Sequence, residues 1–220
     1  MTLSPAASLT LGLDEAGRGP ILGPMVMAVV ALRPSAAAAL TRAGVADSKS
    51  FSGPDGHLAR SALVPLILHH ADHVAVRIVD VEAIDAAVAV RGLNRLEQTV
   101  GADLIAHAPH ARRIVCDGER LFSPLRERYP QLEAHDRGES VHVAVAAASI
   151  IAKVRRDESF ARAWQRYAAL LGLDPHAPRG GGYLNPATRS FLRGIVEHLR
   201  ALPPEGRRSW PWDFVADLLR

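Results

Sequence analysis

The sequence predicts a mixed α/β domain, because short apolar runs with strand character cluster early, amphipathic helical spacing dominates later, and glycine and proline punctuate the joins. With 220 residues and an apolar fraction of 48%, the chain is long enough for one substantial core. A single domain over 1–220 is therefore expected. Proline and glycine concentrate near its C-terminal end, which makes 180–220 a candidate helical annex.

The elements follow in order. Residues 8–14 read as a short apolar strand, 17–24 as a glycine and proline turn, and 25–32 as a second apolar strand paired with the first. Alanine-rich 36–40 favours helix. Residues 52–70 have helical spacing behind a serine cap, 73–80 form a strand, and 91–107 make an amphipathic helix. Residues 113–116 are a short buried strand that delivers Asp117 to its end. After a proline-punctuated segment, 141–171 and 186–201 read as two further helices.

Composition narrows the function classes. Basic residues, mostly arginine, outnumber acidic ones 26 to 23, which lets the surface accept polyanions without requiring them. Cys116 is the sole cysteine, which excludes an internal disulfide and a cysteine-based zinc site and fits a reducing compartment. The ten histidines show no zinc spacing, and His69-His70 reads as a helix-surface pair. No apolar run reaches the roughly 18 residues of a membrane helix, and residues 1–10 lack the basic start and apolar core of a secretory signal. A soluble cytoplasmic protein is expected.

The chemistry lies in the acids. Asp14 and Glu15 close an apolar strand immediately before Gly17-Arg18-Gly19, where two adjacent charges are costly to bury without a counterion. Asp117 repeats the pattern, at the mouth of Arg113-Ile114-Val115-Cys116 and before Gly118. Carboxylates converging from separate strand ends form the oxygen-rich environment that Mg²⁺ or Mn²⁺ prefers. Two such ions activate a water and stabilise the departing oxygen of a phosphodiester. An isolated strand-end aspartate more often just caps a turn. The paired Asp14-Glu15 lowers the weight of that reading.

Gly12-Leu13-Asp14-Glu15-Ala16-Gly17-Arg18-Gly19-Pro20 resembles the signature of type 2 ribonucleases H, the ribonuclease HII family. Asp47-Ser48-Lys49 is similar to the family's short DSK motif and Cys116-Asp117-Gly118 to its central Asp-Gly. The helical motif is matched from Ala147 to Asp157, and the resemblance spans Gly12 to Trp210. It implies an RNase H-like mixed β-sheet flanked by helices, with a small C-terminal helical region. It also implies cleavage of RNA in RNA/DNA hybrids and of single ribonucleotides in duplex DNA, leaving 3′-hydroxyl and 5′-phosphate ends, by an enzyme expected to be a monomer. Four carboxylates hold the family's two metals, and Asp14, Glu15 and Asp117 match three of them.

The fourth departs from the pattern. The family's aspartate lies ten residues before the motif serine, here Ser149, and that position is Glu139, in Arg137-Gly138-Glu139-Ser140. Glutamate adds a methylene and one more rotor to fix, at a cost of a few tenths to about 1 kcal/mol. Mn²⁺ forgives such a displacement more readily than Mg²⁺, which demands near-ideal octahedral geometry. Glu139 is the assigned ligand and Asp136 its substitute. A catalytically weakened or inactive homologue that only binds nucleic acid is the competing reading. A type 3 enzyme fits less well, since that class carries an extra N-terminal domain.

For the substrate, the resemblance assigns Gly17, Arg18 and Gly19 to sensing the 2′-hydroxyl, the group that separates RNA from DNA. Tyr183, after Gly180-Gly181-Gly182, resembles the family's Gly-Tyr element, whose ring packs on the neighbouring sugar, although Leu184-Asn185 replaces the usual threonine and histidine. Lys49, Ser149 and Lys153 match phosphate-contacting positions, with Arg155, Arg156, Arg207 and Arg208 as an extension of that track. Asp157 is assigned to a structural ion pair.

Overall fold

A computed structural model describes residues 9–45, 51, 56–174 and 181–219. In chain order the elements begin with β1 (Thr10–Ala16), β2 (Met25–Leu32), α1 (Pro34–Arg42), α2 (Gly56–His70), β3 (His73–Val79), α3 (Val81–Ala89) and α4 (Leu93–His107). They continue with β4 (Arg113–Asp117), α5 (Glu119–Phe122), β5 (Leu132–His135), α6 (Gly138–Val141), α7 (Val143–Leu171) and α8 (Pro186–Leu199). The chain packs as two units. One comprises the described parts of Met1–Ala16, Val26–Ile78 and Asn94–Val154, the other those of Gly17–Met25, Val79–Leu93 and Arg155–Arg220.

The first unit is built on a mixed five-stranded sheet in the order β3-β2-β1-β4-β5. Every residue of β2, Met-Val-Met-Ala-Val-Val-Ala-Leu, is buried. A continuous apolar run of this kind suits a strand covered on both faces. It pairs antiparallel with β1, from Thr10↔Leu32 to Ala16↔Val26. On the other side β4 runs parallel to β1, from Thr10↔Arg113 to Leu13↔Cys116, and β5 runs parallel to β4. Parallel neighbours need crossovers, and the chain supplies helices for them.

The first half of α7 packs in the same core as β1 and β2, through Ala144, Ala146, Ala147, Ala148, Ile150 and Ile151. Small side chains let the helix lie close to the sheet. At its entry the approach is closest: a Cβ on Gly12 would fall 2.2 Å from the Ala144 carbonyl carbon and 2.3 Å from the Val145 nitrogen. Gly12 is therefore a packing requirement, whatever else the motif around it does.

The second unit has its own core of Phe160, Trp164, Tyr167, Phe191, Leu192, Ile195 and Trp212. The Trp164 and Phe191 rings stack with centroids 3.9 Å apart. Residues 21–23 and 205–207 run beside each other, with the Gly23 amide donating to Glu205 O (2.8 Å) and the Arg207 amide to Ile21 O (2.9 Å). This short ladder ties the C-terminal segment to the loop after β1.

Most elements match the sequence reading; helices α3, α5 and α6 and strand β5 are additions. Helix α3 follows β3 without a break because the Asp80 carboxylate accepts from the Ala83 amide at 2.8 Å and caps it, so the residue read as the strand's last is the helix's N-cap. Strand β5 occupies the proline-punctuated segment; its four residues give too short an alternation to register as a strand. Asp47, Ser48, Lys49, Gly180 and the starts of the expected first strand and second helix lie outside the described residues. No described helix is long and apolar enough to cross a membrane.

A methyl group at Gly12 must displace backbone atoms of α7. Gly12→Ala is expected to destabilise the protein by about 1–3 kcal/mol or more, the range for overpacking, seen as a lowered urea midpoint. An unchanged midpoint would mean that α7 does not press on β1.

Candidate active site

In the first unit, β1 and β4 bring their acids together. Their parallel register ends at Leu13↔Cys116, so Asp14 and Asp117 are the next step along adjacent strands, which lie about 4.8 Å apart. Residues at matching positions share a face, so both carboxylates stand on one side of the sheet. Glu15, the next residue, lies close enough for its charge to act on Asp14. Asp14 is only 4% exposed, while Glu15 and Asp117 are half-buried.

The electrostatics record this crowding. Burial, then the charge of Glu15, pushes the Asp14 carboxyl well above the usual range; a Ser149 hydrogen bond opposes the shift, Asp117 adds to it, and Lys153 lowers it. The neighbouring Cys116 thiol is pushed up by burial and by the same three acids. Ser149 and Lys153 lie one turn apart on α7, so a single helix face serves Asp14 with a hydroxyl and a cation. Ser149 is itself buried, and its hydroxyl is engaged with Asp14.

Glu139 follows from the close approach of α6 to the end of β4. A Cβ on Gly138 would lie 3.0 Å from Cys116 O and 3.1 Å from the Asp117 Cα, so a side chain here would crowd the turn against the strand. The Gly138 amide donates to Asp117 Oδ1 at 2.7 Å, and the next residue, Glu139, is 7% exposed. Asp136 takes a different place. It is exposed, and its Oδ1 accepts from the Glu119 amide at 3.0 Å at the start of α5.

The four carboxylates expected from the sequence, Asp14, Glu15, Asp117 and Glu139, are hard oxygen donors of the kind that suits a divalent cation. As the side chains stand, no three His, Cys, Asp or Glu groups among the described residues are drawn closely enough around one point to enclose an ion. Two oxygens face protein donors instead: Asp14 Oδ1 accepts from the Glu15 amide at 2.7 Å, and Asp117 Oδ1 from the Gly138 amide. Each carboxylate retains further lone pairs for a cation.

The second unit contains the turn and the tyrosine. Gly17 has φ +90°, and a Cβ there would lie 2.8 Å from Arg156 Nε and 2.9 Å from Pro24 O. Gly19 is exposed, with Tyr183 Cε1 3.0 Å from where its Cβ would be. Tyr183 is 52% exposed and so presents its ring to solvent beside the turn.

Arg156 and Arg207 correct the expected phosphate track. Both are buried: Arg156 donates to Leu22 O (2.7 Å) and Gly181 O, while Arg207 donates to Gly23 O (3.0 Å), Arg18 O (2.8 Å) and Gly17 O. Burial pulls each guanidinium down to about 10, which leaves it charged at neutral pH. Neither can contact a phosphate from such a position. The sequence carried a signal for Arg156: Ala152, Arg156, Phe160 and Trp164 recur at every fourth position of α7, and all are buried. Of the other track residues, Arg155 is exposed and pairs with Glu158 at 3.1 Å, and Arg208 is exposed, its amide donating to Asp85. The charge of Asp157 acts on Arg156, in keeping with an ion-pair role.

Known proteins resemble most of this chain. The family described as Ribonuclease HII matches residues 11–210. Ribonuclease HII of Cenarchaeum symbiosum is 34% identical, covering 92% of this chain and 95% of its own. Ribonuclease HII of Caldivirga maquilingensis is 35% identical over 92% of this chain and 92% of its own. The crystal structure of the ribonuclease H2 from Pyrococcus horikoshii OT3 superposes with a TM-score of 0.79 at 26% identity, covering 96% and 97% of the two chains. Metal dependence is typical of the matching family. The chain thus belongs to the ribonuclease HII family and is a nuclease of the ribonuclease H type, an endoribonuclease acting on RNA/DNA hybrids.

Proposed function

We propose that this enzyme cleaves both the RNA strand of hybrids and single ribonucleotides embedded in duplex DNA, using two divalent ions, Mg²⁺ or Mn²⁺, held by Asp14, Glu15, Asp117 and Glu139. The observation that carries the reading is the burial of Asp14 among like charges, with its carboxyl held above the usual range by burial and by Glu15. A metal-free site of this kind is electrostatically costly. Cations would relieve that cost. When bound, such ions supply an activated water and stabilise the departing oxygen, which gives 3′-hydroxyl and 5′-phosphate products.

The chain's own groups do the rest. Ser149 fixes the Asp14 carboxylate, and Lys153 supplies positive charge beside it and binds phosphate. Gly17, Arg18 and Gly19 address the 2′-hydroxyl through backbone groups that side chains would otherwise screen. Tyr183 lays an apolar ring against the adjacent deoxyribose, which has no hydroxyl to desolvate. Lys49 belongs to the same phosphate-contacting set by motif. A free buried cysteine fits a reducing cytoplasm. The enzyme acts there as a monomer.

Glu139 and Asp136 separate cleanly in a cleavage assay. On a duplex with one ribonucleotide, Glu139→Ala should lower kcat at least about a hundredfold in Mg²⁺ and in Mn²⁺, on the scale of losing a metal-orienting group. Asp136→Ala should change it less than about threefold, because its carboxylate caps a helix. The reverse ranking would move the fourth ligand to Asp136.

Asp14 gives a pH test in chelator. A carboxyl whose folded pKa is raised contributes its stability below the unfolded value and loses it as pH rises through the folded value. Asp14→Asn should therefore raise the Tm of the metal-free protein at pH 8, lose that gain near about pH 3.5, and abolish cleavage. An equal gain at both pH values would mean that charge is not the cause.

A further inference from the structure

Two side chains from the C-terminal segment hold the carbonyl oxygens of Gly17-Arg18-Gly19. Arg207, 0% exposed, donates to Gly17 O and, at 2.8 Å, to Arg18 O. The half-buried Trp210 donates through Nε1 to Gly19 O at 2.9 Å, and its ring lies 4.9 Å from the Arg207 guanidinium carbon. Arg207 also donates to Gly23 O at 3.0 Å, while its own carbonyl accepts from Trp212 Nε1 at 2.8 Å. All three carbonyls of the turn are thus tied to one layer of donors.

The peptide unit turns this into a statement about amides. In a planar trans peptide the carbonyl and the following N–H point in opposite directions. Fixing Gly17 O sets the Arg18 N–H, and fixing Arg18 O sets the Gly19 N–H. Gly19 O precedes Pro20, which has no N–H. Two amides in a row are therefore aimed away from the Arg207 and Trp210 layer, on a turn whose outer residue, Gly19, is exposed beside Tyr183. We propose that Arg207 and Trp210 are positioning residues for ribose recognition, setting the peptide planes so that the Arg18 and Gly19 amides address the 2′-hydroxyl and its phosphate.

This inference rests on the proposed reading of the turn and adds the device that orients it. A buried guanidinium is an expensive filler unless its donors are matched. Its forked donors meet three carbonyls at once, which the single ammonium of lysine does not do. Trp210 adds the third carbonyl of the turn from a ring stacked on the same cation.

The test compares Arg207→Lys and Trp210→Phe with the parent protein on two duplexes identical except for one ribonucleotide. The ribonucleotide duplex is followed by cleavage, and the all-DNA duplex is used as a competitive inhibitor. Loss of one hydrogen bond in Trp210→Phe should lower kcat/KM about fivefold, and Arg207→Lys should lower it about tenfold or more. The Ki of the all-DNA duplex should stay within about twofold, since it reports backbone contacts that need no 2′-hydroxyl. A proportional loss in both quantities, or no loss in kcat/KM, overturns the positioning role. Trp210→Phe keeps an aromatic ring and removes a single donor, so it decides the matter if Arg207→Lys does not fold. Should the parent protein bind both duplexes alike and cut neither, the reading of the turn fails instead.

Discussion

The register between β1 and β4 is the constraint on which the acidic group depends. Leu13 opposite Cys116 puts Asp14 and Asp117 at the same step of neighbouring parallel strands. A slip of one residue would send one of the two carboxylates to the other face of the sheet. The register is secured by burial on both sides, since Leu11, Leu13, Ile114, Val115 and Cys116 are all in the core. Gly12 extends the same arrangement to α7 by letting Ala144 and Val145 meet the strand backbone, and the helix so seated carries Ser149 to Asp14.

The like charges that follow from this register are only partly answered by the protein. Ser149 and Lys153 favour the ionised form of Asp14, yet burial and Glu15 outweigh them. At Asp117 the Gly138 amide supplies one donor, and the adjacent Glu139 brings another acid into the buried region. Under the proposed reading this imbalance is functional: stability is conceded in the metal-free state so that cations bind where the reaction needs them.

Much of this was legible from residues alone. The apolar runs of β1, β2 and β4 and the long periodic helices α4, α7 and α8 are strong signals, because burial imposes their patterns directly. The acids at the ends of β1 and β4 were visible for the same reason, as charges in otherwise apolar strands. Other features were not read. Strand β5 is too short to show alternation, and α3 begins on an aspartate that also reads as a strand end. Arg207 looks like any surface arginine in Gly206-Arg207-Arg208-Ser209, and only the tertiary ladder between 21–23 and 205–207 buries it. The acceptors that make its burial tolerable are main-chain carbonyls nearly two hundred positions away, which leave no trace in side-chain identity.

The two units therefore treat buried charge in opposite ways. Around Arg207 each donating nitrogen meets a carbonyl oxygen, an aromatic ring covers the cation, and the group stays charged at neutral pH with its pKa near about 10. Matching of this kind rigidifies what it touches, because any movement of the turn breaks several charge-assisted hydrogen bonds together. Around Asp14, burial and the charges of Glu15 and Asp117 outweigh the Ser149 hydrogen bond and the Lys153 charge. A buried cation matched by carbonyls is suited to holding backbone still, and a cluster of neighbouring acids to receiving a cation. The sign and the completeness of the pairing, more than the degree of burial, separate the residue that supports from the residues that would react.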